Sequence, residues 1–265
     1  MPLKIAVCVK SVPDPEHYEK ISIDPVTKSL VRADIPSVIN NADKHSLELA
    51  FSIKETTGGE ITAFTMGPSD AKEQLYEALA MGADKAVLLS DVKFSKADTL
   101  ATSYTLSVLL KSLDNFDLVL AGNESDDGGT SHVPSQLGEW LGFPHIMDVV
   151  ALNIEGEKHL IAHKEVEGGT SIYSLLLPCL VAVKKKINTV RYTTVGGLFE
   201  AKSKPLIVLN GDMLNFNEEC IGLKGSPTQP GEFKAIDRSR KAEAIEGSDD
   251  TIASVILSKI KNALT

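Results

Sequence analysis

Residues 121–142 read AGNESDDGGTSHVPSQLGEWLG and follow the apolar run FDLVL. The stretch holds two adjacent acids, two adjacent glycines and then Thr-Ser-His. Glycine reaches backbone angles that other residues resist. Hydroxyls and free N–H groups at a helix start, with the helix dipole behind them, bind phosphate. A helix is expected from about Thr130 to Leu141, with Thr130 and Ser131 at its start. The competing reading is a capped helix after an ordinary loop, since the stretch is neither a Walker loop nor GxGxxG. Asp126 and Asp127 pose the question: two carboxylates repel a phosphate unless they are otherwise engaged.

A second candidate is ADTLATSY, where Asp98, Thr99, Thr102 and Ser103 fall on the first turns of a helix after a strand. Asp98 or Thr99 can be a simple N-cap. Thr102 and Ser103 inside a helix are harder to explain, because hydroxyls there compete for backbone groups. TMGP, residues 65–68, is a tight strand-to-helix turn. KEVEGGTS, residues 164–171, reads as a hairpin around a Gly-Gly turn. No Ser–His–Asp, Cys–His or paired-carboxylate set stands out, so no catalytic side chain and no metal ligand is assigned.

The composition excludes several classes. The net charge of −9 argues against a nucleic-acid partner, whose phosphates need a basic face. The one basic run, Lys184-Lys185-Lys186, reads as a solvated strand end. Cys8, Cys179 and Cys220 show no metal-ligand spacing, and their odd count fits a reducing cytoplasm. No run of eighteen apolar residues is present, so no membrane insertion is expected.

These residues need elements to position them. Residues 3–9, 60–66, 85–90 and 116–122 read as strands, each with a helical pattern after it. The helix after the first strand can be capped by Asn40, Asn41 or Asp43; the next has Ser69 as cap and Gly82 as stop. ISIDPVTKSLVR, residues 21–32, reads as a small hairpin turning at Asp24-Pro25. Fourfold alternation of strand and helix implies a mostly parallel sheet with helices on both faces. Ligands of such sheets sit beyond the carboxyl ends of the strands. The loops at 10–14, 66–69, 90–102 and 122–133 all lie there. After Gly142 the strands have no helices between them and read as antiparallel additions. From Asn188 onward the signals thin out, and an amphipathic helix capped near Ser248 or Asp249 ends the chain. Two parts are expected: an α/β domain over 1–205 and a C-terminal arm over 206–265 that packs on a partner.

VCVKSVPD, EALAMGADKAVLLSD, DLVLAGNESDDGGTSHV and KEVEGGTSIYSLLLPCLVAV together resemble the β subunit of electron transfer flavoproteins over nearly the whole chain. Ser171 stands where an acidic or amide residue is usual, Tyr173 where an aliphatic is usual. GNESDDGGTSHV replaces the more usual Gly-Arg/Lys-Gln-Ala-Ile-Asp. ADTLATSYTL and IGLKGSPT are similar to the anaerobic, electron-bifurcating branch. The resemblance implies an adenine-nucleotide-hydrolase-like fold and a β-site FAD, with AMP in its place in the respiratory branch. It implies NADH as electron donor, an α subunit with its own FAD, a dehydrogenase of acyl-CoA or 2-hydroxy-acid type, and ferredoxin. The cofactor-binding residues it implies are Cys8, Asn40, Asn41, Ala42, Asp43, Met66, Gly122, Asn123, Glu124, Ser125, Asp126, Asp127, Gly128, Gly129, Thr130, Ser131, His132 and Val133. The bifurcating branch adds Asp98, Thr99, Thr102 and Ser103. Asp126 or Asp127 is expected to face ribose hydroxyls, backbone N–H groups or solvent. A stand-alone nucleotide-binding domain without a redox role is the remaining alternative.

Overall fold

The computed structural model describes residues 2–20, 22–23, 30–31, 35–156, 158–229, 231 and 242–264. In chain order its strands begin with β1 (Leu3–Cys8), β2 (Ser11–Pro13), β3 (Ser22–Ile23), β4 (Leu30–Val31), β5 (Ser37–Ile39), β6 (Gly59–Met66) and β7 (Lys85–Leu89). They continue with β8 (Leu118–Gly122), β9 (His145–Glu155), β10 (His159–Val166), β11 (Gly169–Leu176), β12 (Cys179–Val183) and β13 (Leu206–Leu209). The helices are α1 (Asn41–Thr57), α2 (Lys72–Met81), α3 (Thr99–Leu113), α4 (Val133–Leu141), α5 (Val195–Ala201) and α6 (Asp249–Leu264).

Nine of the described strands form one sheet, in the order β11-β10-β9-β12-β8-β1-β6-β7-β13. From β9 to β13 along that order every pairing is parallel; β10 and β11 add antiparallel. Successive residues of a strand face opposite sides, and β1 shows both. Ile5 and Val7 point into a core with Leu47 and Ala50 of α1 and Leu75 and Leu79 of α2. Ala6 points into the other core, with Leu106 and Leu109 of α3 and Leu137 of α4. Helices therefore cover both faces, and the continuous apolar strands follow from that double burial.

Three expectations change. β9 and β12 are parallel members of the sheet, not antiparallel additions: β12 lies between β8 and β9. Sequence alone shows the missing helices but not which strands become neighbours. β9 is irregular where it changes partner: Asp148 has φ 60, and its pairing with β12 shifts register between Val181 and Val183. The thinned region after Asn188 contains α5 and the edge strand β13. The first compact unit runs to Gly231, because Leu209, Leu214, Phe216 and Ile221 pack into the α3–α4 core. Ser69 sits inside a short 3₁₀ turn ahead of α2 and makes no capping bond, while Gly82, with φ 130, does end that helix.

β3 and β4 pair antiparallel, as the hairpin reading expects; its turn at Asp24-Pro25 lies outside the described residues. The second unit spans Glu232–Thr265. Within it α6 opens on Ser248, whose carbonyl accepts the Ile252 N–H at 2.9 Å, and Ile256, Leu257 and Ile260 are exposed.

Candidate functional site

The carboxyl end of the parallel sheet is stitched together by the first turn of α1. Asp43 Oδ2 accepts the Lys10 N–H at 2.8 Å, just beyond β1. Its Oδ1 accepts the Gly122 N–H at 2.9 Å, at the end of β8. Asn40 Nδ2 donates to the Glu124 carbonyl at 2.9 Å, and Asn40 Oδ1 accepts the Asp126 N–H at 3.0 Å. The Asn40 side chain caps nothing in its own helix; like Asp43, it reaches across to the loop after β8. A side chain at Gly122 has no room, since its Cβ would stand 2.3 Å from Asp43 Oδ1 and 2.7 Å from the Ala42 Cβ. Burial pushes the Asp43 carboxyl up to about 7, against the opposing hydrogen bonds from Lys10, Asn40 and Gly122. Cys8, half-buried beside it, is a free thiol that burial first, and Asp43 second, hold well above the ordinary thiol range.

The acid pair of the loop is engaged. Lys10 Nζ meets Asp127 Oδ1 at 2.6 Å and donates to Ser125 Oγ at 3.1 Å. Lys185 Nζ meets Asp126 Oδ1 at 2.6 Å, and the Asn41 N–H donates to Asp126 Oδ2 at 3.2 Å. The two carboxylates are thus compensated by lysines that follow β1 and β12, and Asp126 also faces a backbone N–H. Asn123 is buried, its N–H on the Val183 carbonyl at 2.9 Å and its Oδ1 on the Asp148 N–H at 2.9 Å. It ties the loop to β12 and to the irregular point of β9.

The expected helix start is displaced. α4 begins at Val133, not Thr130, because Gly129 (φ 56) and Ser131 (φ 55) are left-handed and cannot continue a helix. Thr130 and Ser131 precede α4, and Ser131 Oγ donates to Glu124 Oε2 at 3.1 Å. His132 occupies the cap position without a side-chain capping bond. Nothing lies within 4 Å of where a Gly129 Cβ would stand. A glycine loop with open space above it therefore leads into a helix start that no side chain caps, a setting suited to an anion.

The α3 start is built differently. Asp98 caps α3, its Oδ1 accepting the Leu100 and Ala101 N–H groups at 3.0 Å each. Its Oδ2 accepts the Thr228 N–H at 2.9 Å, and its own N–H donates to Ser226 Oγ at 2.8 Å. The two segments that resemble the bifurcating branch, ADTLATSYTL and IGLKGSPT, are therefore in direct contact. Thr99 and Thr102 are half-buried; Ser103 is buried, its hydroxyl donating to the Leu100 carbonyl at 2.9 Å. Met66 is half-buried at the end of β6.

The structure brings Asn40, Asn41, Asp43, Gly122 and residues 124–127 into one bonded cluster, with Ala42 packed against Gly122, and links Asp98 to a segment 128 residues away. Sequence reasoning places the loop of Lys10 at the ligand-facing end and singles out the segment of Ser226, but names neither residue, and it reads Lys185 as a solvated strand end. The signal for Lys185 was its place just after an apolar strand of a parallel sheet, at the ligand-facing end.

The electron transfer flavoprotein domain, as a family pattern, matches residues 27–212. The chain belongs to the electron transfer flavoprotein family. It is 40% identical over 263 residues to the "Caffeyl-CoA reductase-Etf complex subunit CarD" of Acetobacterium woodii, covering 98% of each chain. It is 38% identical over 259 residues to the "Electron transfer flavoprotein subunit beta" of Clostridium acetobutylicum, again covering 98% of each. To the "Acryloyl-CoA reductase electron transfer subunit gamma" of Anaerotignum propionicum it is 35% identical, over 93% of this chain and 94% of that one. Within the electron transfer flavoprotein family it is a β-type subunit, involved in electron transfer, and its α/β sheet agrees with that fold. No helix among the described residues is long and apolar enough to cross a membrane.

Proposed function

We propose that this subunit binds FAD along the carboxyl ends of its parallel strands, in a cytoplasmic complex that oxidises NADH and divides the electrons between two acceptors. One path leads to an α subunit with its own FAD and on to a dehydrogenase of acyl-CoA or 2-hydroxy-acid type. The other leads to ferredoxin. The relatives named for caffeyl-CoA and acryloyl-CoA reductases support a partner of the first kind.

The observation that carries the proposal is the uncapped start of α4 behind Gly129, where the space a Cβ would take is open. With Lys10 and Lys185 beside it, this end of the sheet fits the diphosphate of a dinucleotide. Gly128, Gly129, Thr130, Ser131, His132 and Val133 would hold the phosphates. Asn40, Asn41, Ala42, Asp43, Gly122, Asn123, Glu124, Ser125, Asp126 and Asp127 would fix that loop against β1 and α1. Cys8, Met66 and the α3 start, with Asp98, Thr99, Thr102 and Ser103, would line the rest of a site long enough for a dinucleotide. Bound FAD would supply the hydride and single-electron chemistry that no side chain here provides. The protein's part is to orient that cofactor and leave one face open to nicotinamide, since hydride transfer needs reacting atoms about 3–3.5 Å apart.

The test is anaerobic mixing of the α/β pair with NADH while flavin absorbance is followed. Rapid bleaching of one of two flavins is the expected result. Reduction only through a dehydrogenase, with none by NADH, would contradict the proposal.

A further inference from the structure

The loop after β8 is acidic where a phosphate binder should be basic. Glu124, Asp126 and Asp127 lie in it, and the chain carries no lysine or arginine between Lys111 and Lys158. The cations come from the two strands that flank β8 in the sheet, β1 on one side and β12 on the other. Lys10 lies two residues beyond the end of β1, and Lys185 two residues beyond the end of β12. Both ammonium groups close onto the loop from opposite sides, on Asp127 and Asp126.

We propose that Lys10 and Lys185 are the phosphate-positioning residues of the nucleotide site, with Asp127 and Asp126 as the partners that aim them. The inference rests on the nucleotide-binding reading above and adds the residues that recognise the anion. Two observations and a general property of exposed ion pairs support it. The lysine side chains are 47% exposed whereas those of both aspartates are 16% exposed, so the ammonium groups keep donors free toward the open side. Ser125 Oγ lies 3.2 Å and Lys10 Nζ 4.0 Å from where a Gly128 Cβ would stand, so the ammonium group and the hydroxyl it meets border the glycine loop. Half-exposed ion pairs of this kind are weakly held, so a phosphate with two charges can share or take the ammonium group. Each aspartate retains part of its compensation while the phosphate is bound, which removes the repulsion that an Asp-Asp pair would otherwise impose.

The experiment is calorimetric titration of the full-length, nucleotide-stripped chain with ADP, and with adenosine as the phosphate-free control. Lys10→Met and Lys185→Met should each weaken ADP binding by roughly tenfold, the loss of one charge-assisted contact, and leave adenosine binding unchanged. Lys10→Arg should restore most of the ADP affinity. Asp127→Asn should weaken ADP binding by less than Lys10→Met does and leave adenosine binding unchanged, because the ammonium group stays but loses the carboxylate that aims it. If Lys10→Met and Asp127→Asn weaken ADP and adenosine alike, the pair is a structural tie and the inference is overturned. A wild-type chain that binds neither ligand would instead defeat the nucleotide-binding reading itself.

Discussion

Asp43, on the first turn of α1, accepts the Gly122 N–H at 2.9 Å across 79 residues of sequence. With its second oxygen on the Lys10 N–H, this one buried carboxylate fixes the ends of β1 and β8 to each other and to α1. The loop that enters α4 springs from that junction, so its position depends on a side chain that touches none of the open space above Gly129.

Burial holds the Asp43 carboxyl up at about 7, above the 3.8 of an ordinary aspartate. The folded chain therefore binds this proton more tightly than the unfolded chain does. Its contribution to stability falls as pH rises through the window from about 4 to 7, by at most about 1.4 kcal/mol per pH unit, and is level above that. Asp43→Asn should abolish that slope in denaturant titrations run across the window. At neutral pH it should also cost about 1–3 kcal/mol, because the amide sets a donor against one of the two N–H groups. An identical slope in wild type and Asp43→Asn would show that Asp43 does not hold that proton in the folded chain.

Gly122 and Gly129 make a matched pair. Alanine at 122 drives a Cβ to 2.3 Å from Asp43 Oδ1 and 2.9 Å from the Ala42 carbonyl carbon, so about 1–3 kcal/mol or more of stability should be lost. Alanine at 129 meets nothing within 4 Å and costs only the left-handed backbone, about 1–2 kcal/mol. Thermal melts of the two variants should separate accordingly, with equal losses counting against the Asp43 junction.

The apolar strands were legible because parallel strands buried on both faces carry no polar alternation: LVLAG of β8 and CLVAV of β12 are buried throughout. Orientation was not legible for β9 and β12, since it depends on which strands become neighbours after the β10–β11 excursion. β13 has only four residues and half-exposed side chains, too little pattern to separate it from loop. At the site, Asn40 and Asp43 were visible as helix-start residues, but local capping chemistry could not reveal that they are diverted to Glu124, Asp126 and Gly122. Thr130 and Ser131 were placed on a helix by composition, while the left-handed angles at Gly129 and Ser131 are invisible in residue type alone for a serine. Lys185 was hidden in a lysine run whose ordinary meaning is a solvated strand end.

Asp98→Ala should remove two capping bonds from α3 and the anchor of Thr228 at once. A loss of about 1–2 kcal/mol is expected from the cap alone. Hydrogen exchange should rise at Leu100, Ala101 and Thr228 together. Faster exchange at Leu100 and Ala101 with Thr228 unchanged would show that the 220–229 segment is held by other contacts.

The partner-binding arm is proposed to begin after Gly231, where the first compact unit ends. Truncation there should leave the fold intact, because Leu214, Phe216 and Ile221 stay in place, while the exposed Ile256, Leu257 and Ile260 of α6 are lost. The truncated chain should fail to co-purify with the α subunit. Truncation at Asn210 should also destabilise the core. Full co-purification of the shorter chain would give the arm another role.

The most direct measurement is the nucleotide content of the α/β pair, released by denaturation and quantified by chromatography. Binding of FAD along the strand ends of this subunit predicts two FAD per pair and no AMP. One FAD with one AMP per pair would contradict it, and would make the nucleotide held by this chain a structural one.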